Sequence, residues 1–153
     1  MEDAIARNKP IHILLADDDV DEQYLFAAAI KELPIVTNVK TVSDGIGLIA
    51  YLFQNPDDQP DVIFLDIMMP RKDGIECLKE IKSNEKLRQI PIIMYSNTVG
   101  AHYIMQCYQY GASYFLPKGN YSELAESISK LLAITGKYLT QGPIDKFTFS
   151  LGE

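Results

Sequence analysis

Short apolar runs alternate with segments of helical periodicity five times along this chain. The runs IHILLA, VIFL and PIIMYS are apolar through most of their length, as expected for strands that are covered on both faces of a parallel sheet. The segments between the runs repeat apolar residues at spacings of three and four, which is typical of helices that bury one side. Five such units in a row predict an α/β fold, with a five-stranded parallel sheet and helices on both faces.

The pattern gives approximate bounds for each element. The predicted strands are residues 11–16, 35–42, 62–65, 91–96 and 112–117. The predicted helices are residues 19–33, 45–53, 72–82, 99–111 and 120–136. Asp19 is expected to cap the first helix, and Gly136 is expected to cap the C-terminus of the last.

One domain accounts for most of the chain. Its 153 residues are enough for one core of ordinary size, which we place in residues 10–136. Residues 137–153 are a short C-terminal tail, predicted to be either disordered or an additional edge strand or arm. The tail is too short for an output domain, so none is predicted.

Composition and charge exclude several classes of partner. No apolar run approaches the ~20 residues of a membrane span, and the polar N-terminus lacks a secretory signal, so we expect a cytoplasmic protein without a membrane partner. A net charge of −7 disfavours nucleic acid, because phosphate backbones are bound by clustered Lys and Arg. Cys77 and Cys107 lie far apart in the sequence and are expected to be free, buried thiols.

Polar residues follow the predicted strands at the edge where parallel α/β sheets bind ligands. They are Asp17, Asp18 and Asp19 after the first strand, Asp66 after the third, Ser96 at the end of the fourth and Lys118 after the fifth. Clustered carboxylates repel one another and favour a hard cation such as Mg²⁺. A cation beside Asp66 would neutralise an incoming phosphoryl group, so Asp66 is a candidate nucleophile that forms an aspartyl phosphate.

The motifs ILLADDD, VIFLDIMMPRKDG, PIIMYS and GASYFLPK, in this order, resemble the receiver domain of two-component response regulators, in particular the stand-alone, chemotaxis-type regulators. The resemblance spans roughly residues 10–136 and implies a (βα)5 flavodoxin-like fold. It implies phosphorelay signalling, with a histidine kinase or phosphotransfer protein as the phosphodonor and Mg²⁺ as the cofactor. It also implies roles for single residues: Asp66 as phosphoacceptor, Asp17, Asp18, Asp66 and the Met68 backbone carbonyl as metal ligands, Ser96 and Lys118 as phosphoryl contacts, and Phe115 as the rotating switch aromatic.

One position departs from the family pattern, and two other functions remain as alternatives. The family usually has a proline after its lysine, whereas here Pro117 precedes Lys118 and Gly119 follows it. A haloacid dehalogenase-like phosphatase also uses Mg²⁺ and an aspartate nucleophile, but its motif would need Thr or Val where Asp21 stands. A receiver-like docking module without phosphorylation is the second alternative. We predict a signalling protein that is not an enzyme.

The segment AHYIMQCYQYGASYF carries five aromatic residues in fifteen and predicts a partner surface. On a helix, Ala101, Ile104 and Tyr108 share a stripe that is expected to face the sheet. Tyr103 and Tyr110 fall on another stripe, which is expected to face outward beside strand five. Because receivers commonly signal through the face of helix four, strand five and helix five, we predict that Tyr103 and Tyr110 contact the output partner or a second copy of the chain.

Overall fold

The structure, a computed structural model, describes residues 9–137 and 141–152. Five parallel strands form one sheet of order β2-β1-β3-β4-β5, which confirms the predicted sheet. The strands are β1 (Ile11–Ala16), β2 (Thr37–Val42), β3 (Val62–Leu65), β4 (Ile92–Ser96) and β5 (Tyr114–Pro117). The helices are α1 (Val20–Lys31), α2 (Gly45–Gln54), α3 (Gly74–Ser83), α4 (Ala101–Gln109) and α5 (Leu124–Lys137), with 3-10 turns at Tyr121–Glu123 and Ile144–Lys146.

Each face of the sheet carries its own apolar core. Successive strand residues point to opposite faces, so Ile63 and Leu65 of β3 join one core while Phe64 joins the other. The first core is closed by α2, α3 and α4, and the second by α1 and α5. Because both faces are covered, the carboxyl edge of the sheet is where loops and polar side chains meet the solvent.

Side-chain caps fix where the helices begin. Asp19 accepts hydrogen bonds from the backbone N–H groups of Asp21 (2.9 Å) and Glu22 (3.4 Å), which confirms its predicted role as the cap of α1. Asp73 and Glu76 form a reciprocal capping box at the start of α3. These caps fix the start of α1, which follows Asp17 and Asp18, and the start of α3, which follows Asp66.

Two predicted helix ends are wrong. The last helix, α5, begins at Leu124, because a 3-10 turn occupies Tyr121–Glu123. It then continues to Lys137, so Gly136 lies inside the helix and is not its C-cap. A glycine in a helix costs only about 1 kcal/mol relative to alanine, which the packing of the preceding turns offsets.

The orientation of α4 also differs from the prediction. Cys107 is fully buried and Ala101 is exposed, so the buried stripe is centred on Cys107. This rotation packs Tyr103 partly against the core. It also places Tyr110 beside α3, where the Lys79 ammonium is 4.4 Å from the ring centroid. Tyr110 is therefore exposed, as predicted, but lies beside α3, whereas Tyr103 is half-buried; their contact with a partner stays a prediction.

The tail lies along the open edge of β5. The backbone N–H of Phe115 donates to the carbonyl of Phe147 (3.0 Å), and the N–H of Phe149 donates to the carbonyl of Phe115 (2.8 Å). These bonds form one parallel bridge between Phe115 and Thr148. The tail thus occupies backbone groups of β5 that an edge strand otherwise leaves unpaired.

Side chains anchor the tail to α4 as well. Phe147 is buried, with its ring centroid 5.3 Å from that of Tyr108 and 6.4 Å from that of Phe115. The hydroxyl of Tyr108 donates to the carbonyl of Gly142 (2.9 Å). The tail is therefore part of the core that α4 and β5 share.

The two cysteines agree with the prediction made for them. Cys77 and Cys107 are free and buried, and burial raises the pKa of both thiols to about 12. Within residues 9–137 and 141–152, no helix has the length and apolar character that crossing a bilayer requires.

We expect Phe147→Ala to lower the free energy of unfolding by about 3–5 kcal/mol, because the substitution leaves a cavity between α4 and β5. Ile144→Ala is the matched control in the same segment, where the side chain is 43% exposed. Its expected loss is under about 0.5 kcal/mol. Urea denaturation followed by circular dichroism measures both, and equally small losses would contradict the docked position of the tail.

Candidate metal and phosphoryl site

Three carboxylates meet at the carboxyl edge of the sheet. Ala16 of β1 is in register with Leu65 of β3, so the residues that follow, Asp17 and Asp66, lie side by side. The Asp66 N–H donates to the carbonyl of Ala16 (3.0 Å), which fixes this pairing. One oxygen from each of Asp17, Asp18 and Asp66 lies within 4.8 Å of the others. The sequence prediction that these acids converge is consistent with this geometry.

Lys118 bridges two of the three acids. Its ammonium donates to Oδ2 of Asp17 (2.6 Å) and to Oδ2 of Asp66 (2.9 Å), and its side chain is only 2% exposed. The ammonium also lies 5.3 Å from the centroid of the Tyr95 ring. A buried ammonium that contacts both carboxylates offsets the repulsion between them.

Burial and charge oppose each other at this site. Burial raises the pKa of Asp17, and the charge of Asp66 raises it further, although the hydrogen bond from Lys118 lowers it. Burial lowers the pKa of Lys118, but its bonds to Asp17 and Asp66 outweigh this effect and raise the pKa overall. The lysine is therefore a charged ammonium at neutral pH.

The acids differ in their access to solvent. The Asp17 side chain has no exposed area, and its Oδ1 already accepts the N–H of Asp19 (3.0 Å). The Asp66 side chain is 11% exposed, and its Oδ1 accepts the N–H of Ile67 (2.7 Å). Asp18 is exposed. Asp66 is thus the acid that both touches the lysine and remains open to a ligand.

The loop after Asp66 is folded tightly against it. The N–H of Gly74 donates to the carbonyl of Ile67 (2.7 Å), and a Cβ at Gly74 would lie 1.9 Å from the carbonyl oxygen of Asp66. Arg71 takes a positive φ of 68° and donates from its guanidinium to Oδ2 of Asp44 (2.7 Å). The chain therefore requires glycine at position 74 to return so closely to the acid.

The remaining predicted residues lie on this loop and on the neighbouring strands. Met68 is in the loop, with about half of its surface exposed. Ser96 is fully buried at the end of β4, where its hydroxyl accepts the N–H of Thr98 (3.1 Å) and its carbonyl accepts the N–H of Lys118 (3.0 Å). Phe115 is fully buried beneath Phe147. Ser96 thus shares the edge with the acids, whereas Phe115 lies beside the tail.

One contact beside this site has no signal in the sequence. The hydroxyl of Tyr121 donates to the carboxylate of Glu22, which joins the turn after β5 to the first turn of α1. The two residues are 99 positions apart. Neither belongs to a motif, and only the fold brings them together.

The donor set suits a hard divalent cation. Mg²⁺ and similar ions take one or two carboxylates and complete their shell with other oxygens. Within the described residues, Asp17, Asp18 and Asp66 are the only group of acidic, cysteine or histidine side chains close enough to share an ion. Their three carboxylates exceed the charge that Lys118 supplies, so the residues fit a divalent metal.

Residues 13–129 match the sequence profile of the response regulator receiver domain. The chain belongs to this family. This receiver is 30% identical over 115 residues to the response regulator Rcp1 of Synechocystis sp. (strain ATCC 27184 / PCC 6803 / Kazusa), an alignment that covers 72% of this chain and 78% of Rcp1. It is also 34% identical over 131 residues to protein-glutamate methylesterase/protein-glutamine glutaminase 1 of Pseudomonas savastanoi pv. phaseolicola, and that alignment covers 82% of this chain but only 35% of the methylesterase.

Solved structures agree with this assignment. The Mn²⁺-bound form of Rcp1 superposes with a TM-score of 0.75 at 26% identity, and the alignment covers 88% of this chain and all of that one. The phosphorylated cyanobacterial phytochrome response regulator RcpA superposes with a TM-score of 0.73 at 29% identity, over 88% of this chain and 97% of RcpA. The predicted flavodoxin-like receiver fold and the predicted role in phosphorelay signalling are confirmed.

The family also fixes the general chemistry of the site. Receivers act by phosphorylation of an aspartate, bind a divalent metal and receive their phosphoryl group from a phosphodonor protein. The acid cluster at the carboxyl edge provides this receiver with side chains of that kind.

We expect Gly74→Ala to destabilise the receiver by about 1–3 kcal/mol, because the added methyl group would collide with the Asp66 carbonyl. Gly142→Ala is the control, since a Cβ there meets no atom within 4 Å. Chemical denaturation of both variants measures the difference. A Gly74→Ala variant as stable as Gly142→Ala would contradict the close approach.

Proposed function

We propose that Asp66 is the phosphoacceptor of this receiver, that Mg²⁺ is its metal, and that a histidine kinase or phosphotransfer protein supplies the phosphoryl group. One observation carries the proposal: Asp66 keeps 11% of its side chain exposed while it contacts Lys118 and lies within 4.8 Å of the Asp17 and Asp18 oxygens. A nucleophilic carboxylate needs this combination of access and neighbouring positive charge.

The proposed roles of the residues follow from these contacts. An oxygen of Asp66 attacks phosphorus, and the bond between phosphorus and the donor breaks, with its electron pair leaving on the donor. The ammonium of Lys118 then pairs with a phosphoryl oxygen, and the hydroxyl of Ser96 donates to another. Asp17, Asp18, Asp66 and the Met68 carbonyl would hold Mg²⁺, which when bound supplies charge neutralisation to the phosphoryl oxygens.

The alternatives predict different chemistry from the same acids. A phosphatase would turn over p-nitrophenyl phosphate, whereas a signalling receiver would hold its phosphoryl group or a BeF₃⁻ mimic. A docking module without phosphorylation would bind neither. We propose the signalling role without enzymatic turnover, because the matched relatives include a response regulator that this chain covers over most of its length.

We expect acetyl phosphate with Mg²⁺ to add one phosphoryl group to the wild-type chain and none to Asp66→Asn. The amide is isosteric with the carboxylate, so the fold is retained while the nucleophile is lost. Intact-mass spectrometry with and without EDTA measures the modification. Labelling that persists in the Asp66→Asn variant, or in EDTA, would refute the assignment.

A matched pair of neighbouring acids tests the proposed metal ligands. Asp18→Asn should weaken Mg²⁺ binding about tenfold or more, because it removes a charged oxygen ligand. Asp19→Asn should leave the affinity nearly unchanged, since asparagine caps a helix as well as aspartate does and Asp19 bonds to backbone N–H groups. Isothermal titration calorimetry with Mg²⁺ compares the two, and equal losses would show that Asp18 is not a metal ligand.

We further propose that the face formed by α4, β5 and α5 contacts the output partner or a second copy of the chain. The tail lies on this face, and its bonds to Phe115 place it in direct contact with the proposed switch aromatic. Ile144 is exposed on the tail, and Tyr110 is exposed at the end of α4, where its ring contacts the Lys79 ammonium of α3. The proposed surface therefore includes Ile144 together with Tyr103 and Tyr110.

Light scattering of the chain with Mg²⁺ and BeF₃⁻ tests this surface. We expect Ile144→Ala to weaken association by about 1 kcal/mol, because we place this apolar side chain near the centre of the interface, where truncation costs most. Tyr24→Ala, on the exposed side of α1, is the control and should leave association unchanged. Full association of the Ile144→Ala variant would place the interface elsewhere, and a wild-type chain that stays monomeric would exclude a second copy as the partner.

A further inference from the structure

The loop that follows Lys118 lacks the proline that the family usually has there. Gly119 replaces it and adopts a φ of 119°, a conformation that other residues rarely take. A Cβ at Gly119 would meet no atom within 4 Å, so the space beside it is open. The N–H of Lys118 is bonded to the carbonyl of Ser96, but the turn that begins at Gly119 lacks the fixed φ that a proline would provide.

Hydrogen bonds within the loop after Lys118 fix its local conformation but not its position relative to the acids. The side-chain amide of Asn120 donates to Glu123 (2.8 Å), and the hydroxyl of Ser122 donates to the side chain of Asn120 (3.1 Å). Both bonds begin and end between residues 120 and 123. They stabilise the 3-10 turn without connecting it to the acids of β1 and β3.

The bond from Tyr121 to Glu22 makes that connection. Glu22 is 8% exposed, and its second carboxylate oxygen has no hydrogen-bond partner within the described part of the chain. Among the described residues, the Tyr121 hydroxyl is thus the one side-chain donor to this buried carboxylate. The bond to Glu22 and partial burial raise the pKa of Tyr121 to about 12, so the hydroxyl keeps its proton and donates at neutral pH.

Glu22 belongs to the same rigid unit as the acids. Its N–H donates to the side chain of Asp19 (3.4 Å), and the N–H of Asp19 donates in turn to Oδ1 of Asp17 (3.0 Å). A residue bonded to Glu22 is therefore held in the same frame as Asp17, which contacts the Lys118 ammonium.

We propose that Glu22 and Tyr121 form a positioning contact that holds the β5–α5 loop so that the Lys118 ammonium stays between Asp17 and Asp66. In this chain the contact takes over the restraint that a proline after the lysine would provide. The inference rests on the proposed function of Lys118 as a phosphoryl contact. Glu22 and Tyr121 act only through Lys118 and do not touch the phosphoryl group.

Tyr121→Phe removes the hydroxyl and little else. We expect it to slow phosphorylation by acetyl phosphate about ten- to a hundredfold, because small misplacements of a catalytic group have effects of this size. The dissociation constant for Mg²⁺ should stay within about twofold of wild type, since the carboxylates keep their places. Tyr24→Phe is the matched control on the surface of α1, where Tyr24 is 74% exposed, and it should have no effect on either measurement.

Two variants at Glu22 separate the hydrogen bond from packing. Glu22→Gln keeps an oxygen that can accept from Tyr121, so it should retain most of the wild-type rate. Glu22→Ala removes the acceptor and should match Tyr121→Phe. A Glu22→Gln variant as slow as Glu22→Ala, or a Tyr121→Phe variant as fast as wild type, would overturn the proposal.

A double-mutant cycle tests whether the contact works through the lysine. In a Lys118→Ala background, Tyr121→Phe should cause no further loss of rate, because its only route to the site is gone. The same fold loss in both backgrounds would show a general structural effect and would overturn the proposal.

NMR of the unphosphorylated chain keeps this test separate from the proposed function. Tyr121→Phe should shift or broaden the backbone amide resonances of Lys118 and Gly119, whether or not Asp66 accepts phosphate. Unchanged resonances would overturn the positioning contact. Absence of phosphorylation in the wild type, together with a clear change at Lys118 and Gly119, would refute the proposed function of Asp66 and leave the contact supported.

Discussion

The buried ammonium of Lys118 is the interaction on which the carboxyl edge of this receiver depends. It donates to Asp17 and Asp66, which would otherwise be two carboxylates held side by side with little access to water. Breaking a buried ion pair by removing one partner costs about 3–5 kcal/mol, because the other charge is left unpaired. The pairing exists only because β1, β3 and β5 all end at one edge, so the strand order is a condition of the charge balance.

Lys118 neutralises only part of the negative charge at this edge, and the uncompensated charge explains why the site suits a metal. Three carboxylates face one ammonium, so the ionised group keeps two negative charges that no described side chain neutralises. Burial and the neighbouring Asp66 raise the pKa of Asp17. The excess of negative charge thus favours a proton on this carboxyl when no cation is bound. A divalent cation removes the excess without protonation, because it leaves all three carboxylates charged and able to act as ligands.

The sequence was sufficient where a local pattern determines the structure. The apolar run of β3 and the position of Asp66 after it follow from the period of the strand, and Asp19 as a cap follows from its place before the first turn of α1. The rotation of α4 was not predictable in this way, because Tyr103, Ile104 and Tyr108 are similar in polarity and offer two apolar stripes of similar strength. Both stripes pack partly against the core around Cys107, and the tail keeps Tyr108 there through Phe147 and Gly142. Glu22 and Tyr121 had no signal, because their bond depends on elements far apart in sequence.

The tail also constrains how a change at the site can reach the surface. Ser96 and Pro117 are in register, so the end of β5 is attached to the end of β4, where the proposed phosphoryl contacts lie. Two residues back along β5, both backbone groups of Phe115 are bonded to the tail, and its ring packs near Phe147. A rotation of Phe115 would therefore have to move Phe147 or reshape the pocket that they share, because close-packed side chains do not shift independently. A partner that adds a strand to β5 would likewise have to replace these bonds, so in this receiver the tail and the output surface cannot be treated as separate elements.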